Sequence, residues 1–168
     1  RDRFPFWKAT DMAGFAVPLG LGFGRIGCLL AGCCFGVQTD SAFGLSFPAG
    51  SPASQAQAKL GQLASEHVVS HPVHPTQIYE SAISFAIAAY CLFYVHGRKR
   101  YDGQVFVTFM ALYAVGRFVL EFWRADDRGG FLNLSTSQLI GLALLGAAFA
   151  LHKRLSQPTP AAVPASAA

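Results

Sequence analysis

Charge is scarce in this sequence. Only 13% of its 168 residues are Asp, Glu, Lys or Arg, whereas a soluble domain carries about a quarter. With 52% hydrophobic residues and a mean hydropathy of +0.36, the composition excludes an ordinary water-soluble domain and reads as a membrane protein. Zinc-type cysteine spacing is also lacking: Cys28, Cys33, Cys34 and Cys91 match no recognised zinc pattern. Adjacent Cys33 and Cys34 do not suit the relaxed geometry of an ordinary disulfide. Nor do the first residues, RDRFPFWK, show the three-part pattern of a signal peptide. They read as a loop entering a helix, with the expectation that the chain is the C-terminal part of something longer.

What is present is apolar and helical. Four stretches come near the roughly 20 residues that cross a hydrocarbon core of about 30 Å: about 9–30, 77–95, 103–123 and 137–151. The last is short, and Leu132 to Thr136 are available to extend it. The expected fold is an all-α polytopic membrane helix bundle with four transmembrane helices, an outer loop at 31–76 carrying an amphipathic helix, and a transmembrane domain ending at residue 154. The tail, 155–168, is rich in Pro, Ala and Ser and is expected to be disordered.

Basic residues set the orientation. Arg1, Arg3 and Lys8, then Arg98, Lys99 and Arg100, then Lys153 and Arg154 flank alternate helix ends, as cytoplasmic segments do. The other two connections hold Lys59, Arg124 and Arg128 against Asp40, Glu66, Asp126 and Asp127. In the longer of them, AFGLSFPAG reads as a short strand-like piece. The following SPASQAQAKLGQLASEHVV reads as a helix starting at Ser51, with Leu60, Leu63 and His67 on one side. That helix either rests on the outer leaflet, covers a site, or packs on the protein surface.

Three polar intrusions interrupt this pattern. In GRFVLEFWR, residues four and seven apart return to one side of a helix, so Tyr113, Arg117, Glu121 and Arg124 share a stripe. An ionised group near the bilayer centre costs roughly 2.5–3.5 kcal/mol on insertion scales and normally pairs or lines a polar cavity. Arg117 and Glu121 pairing with one another is the simplest account, and Arg124 is placed to snorkel.

In GLGFGRIGCLLAGCCFG, Gly20 and Gly24 make a small-xxx-small pair; Gly20 and Gly22 are expected in tight helix contact. Glycines keep space around Arg25, a guanidinium suited to holding a phosphate. Gly32 and Gly36 let the chain turn. In HPVHPTQIYES, Thr76 is a cap candidate, while His74, Gln77, Tyr79, Glu80 and Ser81 concentrate polar groups beyond what a cap needs. Gln77, Glu80 and Ser81 are expected to converge with Arg25 and Arg117. All three intrusions fall toward one end of their helices, favouring one shared site over a pore.

In this order, GRIGCLLAGCCFG, HPTQIYES and GRFVLEFWRADD resemble the prolipoprotein diacylglyceryl transferase family, from about Lys8 to Leu151. The resemblance implies a bacterial plasma-membrane enzyme of seven transmembrane helices, of which this chain would hold the last four. Its implied reaction moves the diacylglyceryl group of phosphatidylglycerol onto the lipobox cysteine thiol of a preprolipoprotein, releasing glycerol phosphate at the outer face. No cofactor, no metal and no nucleic acid is expected.

By the same resemblance Arg25, Arg117 and Glu121 match the family's motif positions. Gly36 matches the glycine closing the first motif, and His74, Gln77, Tyr79 and Glu80 match the HPSQLYE-like segment. Catalytic roles are expected for Arg25, Arg117, Glu121 and His74, with substrate binding at Gly36, Gln77, Tyr79, Glu80 and Arg124. The family's usual catalytic histidine belongs to an upstream helix.

Cys28 and Cys33 depart from the family pattern, in which an asparagine follows GRIG and an acidic residue comes later. They motivate two competing readings. One is a homologue that binds phospholipid or lipoprotein without transfer. The other is a thiol-redox or soft-metal protein using Cys28, Cys33 and Cys34, with histidines of the same region as further ligands.

Overall fold

The structure, a computed structural model, describes residues 5–124, 130–131 and 134–157. Arg1, Arg3, Asp126, Asp127, Arg128 and the tail from 158 onward lie outside the described residues. Among those described, the chain is mostly helical, and three helices are long and apolar enough to cross a membrane: Phe6–Ala31, Thr76–Arg98 and Gln104–Trp123.

The first of these, α1 (Phe6–Ala31), has 26 residues and so is about 39 Å long. Phe6, Met12, Val17, Leu19, Phe23, Ile26 and Leu30 project from it exposed, as lipid-facing side chains do. An eight-residue α2 (Pro52–Lys59) follows in the long connection. Then α3 (Thr76–Ala89) runs on through a π-helical turn (Tyr90–Val95) and the short α4 (His96–Arg98). The bundle continues with α5 (Gln104–Leu120), closed by a 3₁₀ turn (Glu121–Trp123). Last comes α6 (Thr136–Leu155), whose 20 residues pack along α5. It is longer than the expected 137–151 and takes in Leu155, which the sequence placed in the tail.

Its start also differs from expectation. Leu134–Ser135 is extended and pairs antiparallel with Gly130–Phe131, so the helix does not begin at Leu132. Ser135 forms a capping box with Gln138, and a cap residue needs non-helical backbone.

The buried apolar core is Ile87, Cys91, Val95, Val105 and Phe109, joining α3, the π turn and α5. Cys91 is a fully buried packing residue there. Below this core, α5 is capped from another helix. Its own cap residue is Gly103, which offers no side chain, and the unpaired first-turn N–H of Val105 donates instead to Asp11 Oδ1 of α1 at 2.9 Å. Lys99 bridges Asp11 and Asp102 at 2.7 Å each. The Asp102 and Asp11 carboxylates hold the Lys99 ammonium above its usual range, and Lys99 holds Asp102 below its own.

Gly14 makes this approach possible, because a Cβ there would lie 2.7 Å from Phe106 N and 2.8 Å from Val105 C. Gly14→Ala is expected to push α1 off α5 and to cost about 1–3 kcal/mol, read as lower thermal stability in detergent.

The remaining glycines correct the packing expectation. Gly22 does pack closely, against the Phe85 ring, but Gly20, Gly24 and Gly27 have nothing within 4 Å among the described residues. The reason is helical phase: α3 covers the Pro18–Gly22 side, and Gly20 and Gly24 point away from it.

The long connection forms a small cap with its own core of Phe47, Ala53 and Val73. The strand-like expectation holds locally, since Leu45 and Val73 exchange backbone hydrogen bonds of 3.0 and 3.1 Å. Ser51 caps α2 as the sequence suggested, accepting from Ser54 N. The helix stops at Lys59, however, and Gly61 takes a φ of +70°. Leu60, Leu63 and His67 therefore share no helix face. Its packed side is Ala53, Ser54 and Gln57, with Gln57 bonded to the His71 backbone; it is a packed surface helix.

Candidate functional site

Alternation brings the polar motifs to one end of the bundle. The basic residues gather at the other, where Lys99 meets Asp11 and Tyr101 Oη lies 2.6 Å from His152 Nδ1. At the motif end, the C-terminus of α1, the start of α3, the end of α5 and the start of α6 converge.

Glu80 is the centre of this convergence. It is 3% exposed and faces three arginines: Arg25 Nη2 at 3.0 Å, Arg117 Nη1 at 3.6 Å and Arg124 Nη1 at 3.7 Å. Arg117 Nη2 also lies 3.5 Å from Glu121 Oε2 and 3.4 Å from Ser137 Oγ. Among the described residues, three guanidiniums thus gather around Glu80 and Glu121 in surroundings largely removed from water. Such a gathering of buried guanidiniums is stabilised by anionic partners with good hydrogen-bond geometry. Arg117 Nη1, 3.6 Å from Glu80 Oε2, is buried without a hydrogen-bond partner.

Cavities open on either flank. One of about 170 Å³ lies against Arg117, with Tyr113, Ser137 and Gly141 in its wall. Another of about 230 Å³ lies against Arg25, Gln77 and Ser81.

The sequence-derived residues divide on this geometry. Arg25, Glu80, Arg117, Glu121 and Arg124 come together. Arg124 does not snorkel: it is 8% exposed. The 3₁₀ turn ends the helix before Arg124, whose backbone bridges to Gly36 and draws the side chain inward.

Gln77 and Ser81 serve as fasteners. Gln77 Nε2 donates to the Cys33 carbonyl at 2.7 Å, and Ser81 Oγ to the Gly22 carbonyl at 2.9 Å. Thr76, expected as a cap for its own helix, instead donates to the Cys34 carbonyl at 2.8 Å. His74 and Tyr79 stand apart as a pair, Nδ1 to Oη 3.4 Å.

Ser135 and Ser137 were missed. Ser135 Oγ donates to Glu121 Oε1 at 2.7 Å. The motif Ser135-x-x-Gln138 signals a helix start but not this contact, which exists only because α6 packs on α5.

Gly36 is the clasp between the segments. Its N–H donates to the His74 carbonyl at 2.8 Å, and Val37 N–H to the Trp123 carbonyl at 2.9 Å. A Cβ at Gly36 would collide with the Trp123 carbonyl and meet His74 Cβ and Thr76 Cγ2 at 2.8 Å. Gly36→Ala is expected to part the α5 end from the α3 start, costing about 1–3 kcal/mol. Loss of the Arg124–Glu80 proximity would be detected by crosslinking paired cysteines placed at Val37 and Trp123.

The Cys33 thiol beside this cluster is quiet. Burial, then the Cys34 and Cys28 thiols, pushes Cys33 up to about 11. A rise of two units lowers the thiolate fraction ~100-fold, and greater intrinsic nucleophilicity offsets ~10-fold of it. Maleimide labelling of Cys33 near neutral pH is therefore expected ~10-fold slower than for an ordinary thiol, rising with pH until about 11. Peptide mass spectrometry across that range reads it.

Fold and site together define a helical membrane protein with a buried, arginine-rich cluster at one end of its bundle. The chain belongs to the prolipoprotein diacylglyceryl transferase family, whose description matches residues 1–153. It is 42% identical over 142 residues to phosphatidylglycerol–prolipoprotein diacylglyceryl transferase 2 of Clostridium perfringens, covering 83% of this chain and 50% of that protein. The Clostridium tetani transferase is 40% identical over 139 residues, covering 81% and 50%. That of Stenotrophomonas maltophilia is 32% identical over 152 residues, covering 86% and 52%. The chain thus spans about half the length of the curated relatives it matches.

Proposed function

We propose that the full-length protein containing this chain transfers the diacylglyceryl group of phosphatidylglycerol to the lipobox cysteine of a preprolipoprotein, releasing glycerol phosphate. In this reading α6 is a fourth transmembrane helix, and the transmembrane domain runs to its end at Leu155. The motif end faces outward from the bacterial plasma membrane, and the basic end faces the cytoplasm. The observation that carries the reading is the gathering of Arg25, Arg117 and Arg124 around buried Glu80, a set of guanidiniums that suits a phosphodiester. Support also comes from an apolar groove of about 640 Å³ between α5 and α6, lined by Val107, Ala111, Leu142, Leu145 and Phe149, which suits an acyl chain.

The chemistry assigned to these residues is electrostatic. The substrate thiolate attacks the glyceryl carbon next to the phosphate; a carbon–sulfur bond forms, the carbon–oxygen bond breaks, and the electron pair leaves on glycerol phosphate. Arg25 and Arg117 hold the phosphate and stabilise that leaving charge, and such positioned cations act strongly where water is excluded. Glu121 fixes Arg117, and Glu80 keeps the three arginines together until lipid arrives. Arg124 adds to phosphate binding, and Gly36, Gln77 and Tyr79 shape the binding region. His74 is this chain's candidate to take the thiol proton.

The test places the full-length protein in phosphatidylglycerol proteoliposomes with a lipobox peptide. Glycerol phosphate release and a diacylglyceryl mass on the peptide are the expected result. Folded protein that binds the lipid and yields neither product would overturn it in favour of a non-catalytic phospholipid-binding homologue.

A further inference from the structure

We propose that Cys28, Cys33 and Cys34 form a three-thiolate site for one zinc(II) ion at the C-terminal end of α1. Their sulfur atoms all lie within 4.8 Å of one another. A tetrahedral zinc with Zn–S bonds of about 2.3 Å needs sulfurs ~3.8 Å apart, within reach of small side-chain rotations.

The backbone organises this arrangement before any metal arrives. Gly32 takes the left-handed conformation, φ +66°, and Cys33 N–H donates to the Cys28 carbonyl at 3.1 Å. This six-residue closure is the helix ending that brings the side chains of its two outer positions into contact. Here those positions are both cysteines. Cys34 is the one non-glycine residue with positive φ, 61°, among the described residues, and L side chains seldom adopt that conformation. Thr76 and Gln77 then hold the Cys34 and Cys33 carbonyls from α3. Two neighbouring elements therefore maintain a turn that gathers three thiols.

Charge selects the ion. Zinc(II) with three thiolates carries a net charge of −1, and the Arg25 guanidinium, with Nη1 4.0 Å from Cys28 Sγ, is placed to offset it. Copper(I) with the same ligands would carry −2 and exceed that compensation. Each thiol releases its proton to solvent on binding, no electron moves, and water completes the fourth position. A disulfide here would need an oxidant; zinc does not. All three cysteines are partly exposed, which gives the ion a way in.

The full-length reduced protein in detergent, titrated with zinc(II) against a chromophoric chelator, should take up one equivalent. Cys28→Ser, Cys33→Ser and Cys34→Ser should each weaken binding by at least ~100-fold, more than loss of an outer-shell partner does, while Cys91→Ser should change nothing. In the wild type, zinc(II) should protect all three thiols from maleimide at least ~10-fold, a readout needing no variant. The proposal is overturned by sub-stoichiometric uptake, by unchanged affinity in Cys33→Ser, by unprotected wild-type thiols, or by uptake of copper(I) without zinc(II).

Discussion

Glu80→Ala is expected to destabilise the membrane bundle by about 3–5 kcal/mol, the cost of leaving buried charge without its partner. Glu80 is the only carboxylate among the described ion pairs that faces all three of Arg25, Arg117 and Arg124. Removing it takes away the carboxylate that three guanidiniums share, held close together by α1, α5 and the turn after α5. Glu80→Gln keeps the shape but not the charge and should be nearly as damaging. Thermal unfolding in detergent measures both variants, and wild-type stability in Glu80→Ala would show that lipid or water already neutralises the arginines.

Arg117→Ala is expected to do the opposite: fold, but lose diacylglyceryl transfer by ~10²–10³-fold, the usual effect of deleting one stabilising donor from a reacting oxyanion. Without Arg117 one guanidinium fewer crowds Glu80, so the repulsion among the buried arginines falls. What disappears is a fork whose Nη1 is buried without a hydrogen-bond partner and whose Nη2 lies 3.4 Å from Ser137 Oγ; the two residues line one cavity. Arg117→Lys should recover only part of the rate, because an ammonium keeps the charge without the two-pronged geometry. The proteoliposome assay with full-length protein reads all three forms. Transfer at the wild-type rate by folded Arg117→Ala would remove this arginine from the mechanism.

Helices and their order were legible because hydropathy alone reports long runs that lipid can surround. Where runs end was less legible. The α6 start depends on the Ser135 cap and the pairing at Leu134, and the early stop of α2 depends on Gly61; both are local conflicts that an apolar window averages away. The charged stripe on α5 could be read from helical spacing, but the fate of Arg124 could not. Its inward turn comes from a 3₁₀ ending and a bridge to Gly36, which lies 88 positions earlier in the chain.

By itself, then, the sequence determined the medium, the family and the residue types of the site, because insertion cost and motif order are properties of the chain read in one dimension. Only the tertiary structure decided how those residues meet. Arg25, Glu80 and Arg117 come from three helices and Arg124 from the residue after a 3₁₀ turn, and Cys28 meets Cys33 and Cys34 only where a left-handed turn folds the chain back. Buried charge is stabilised by short distances in three dimensions, and those distances are set by packing.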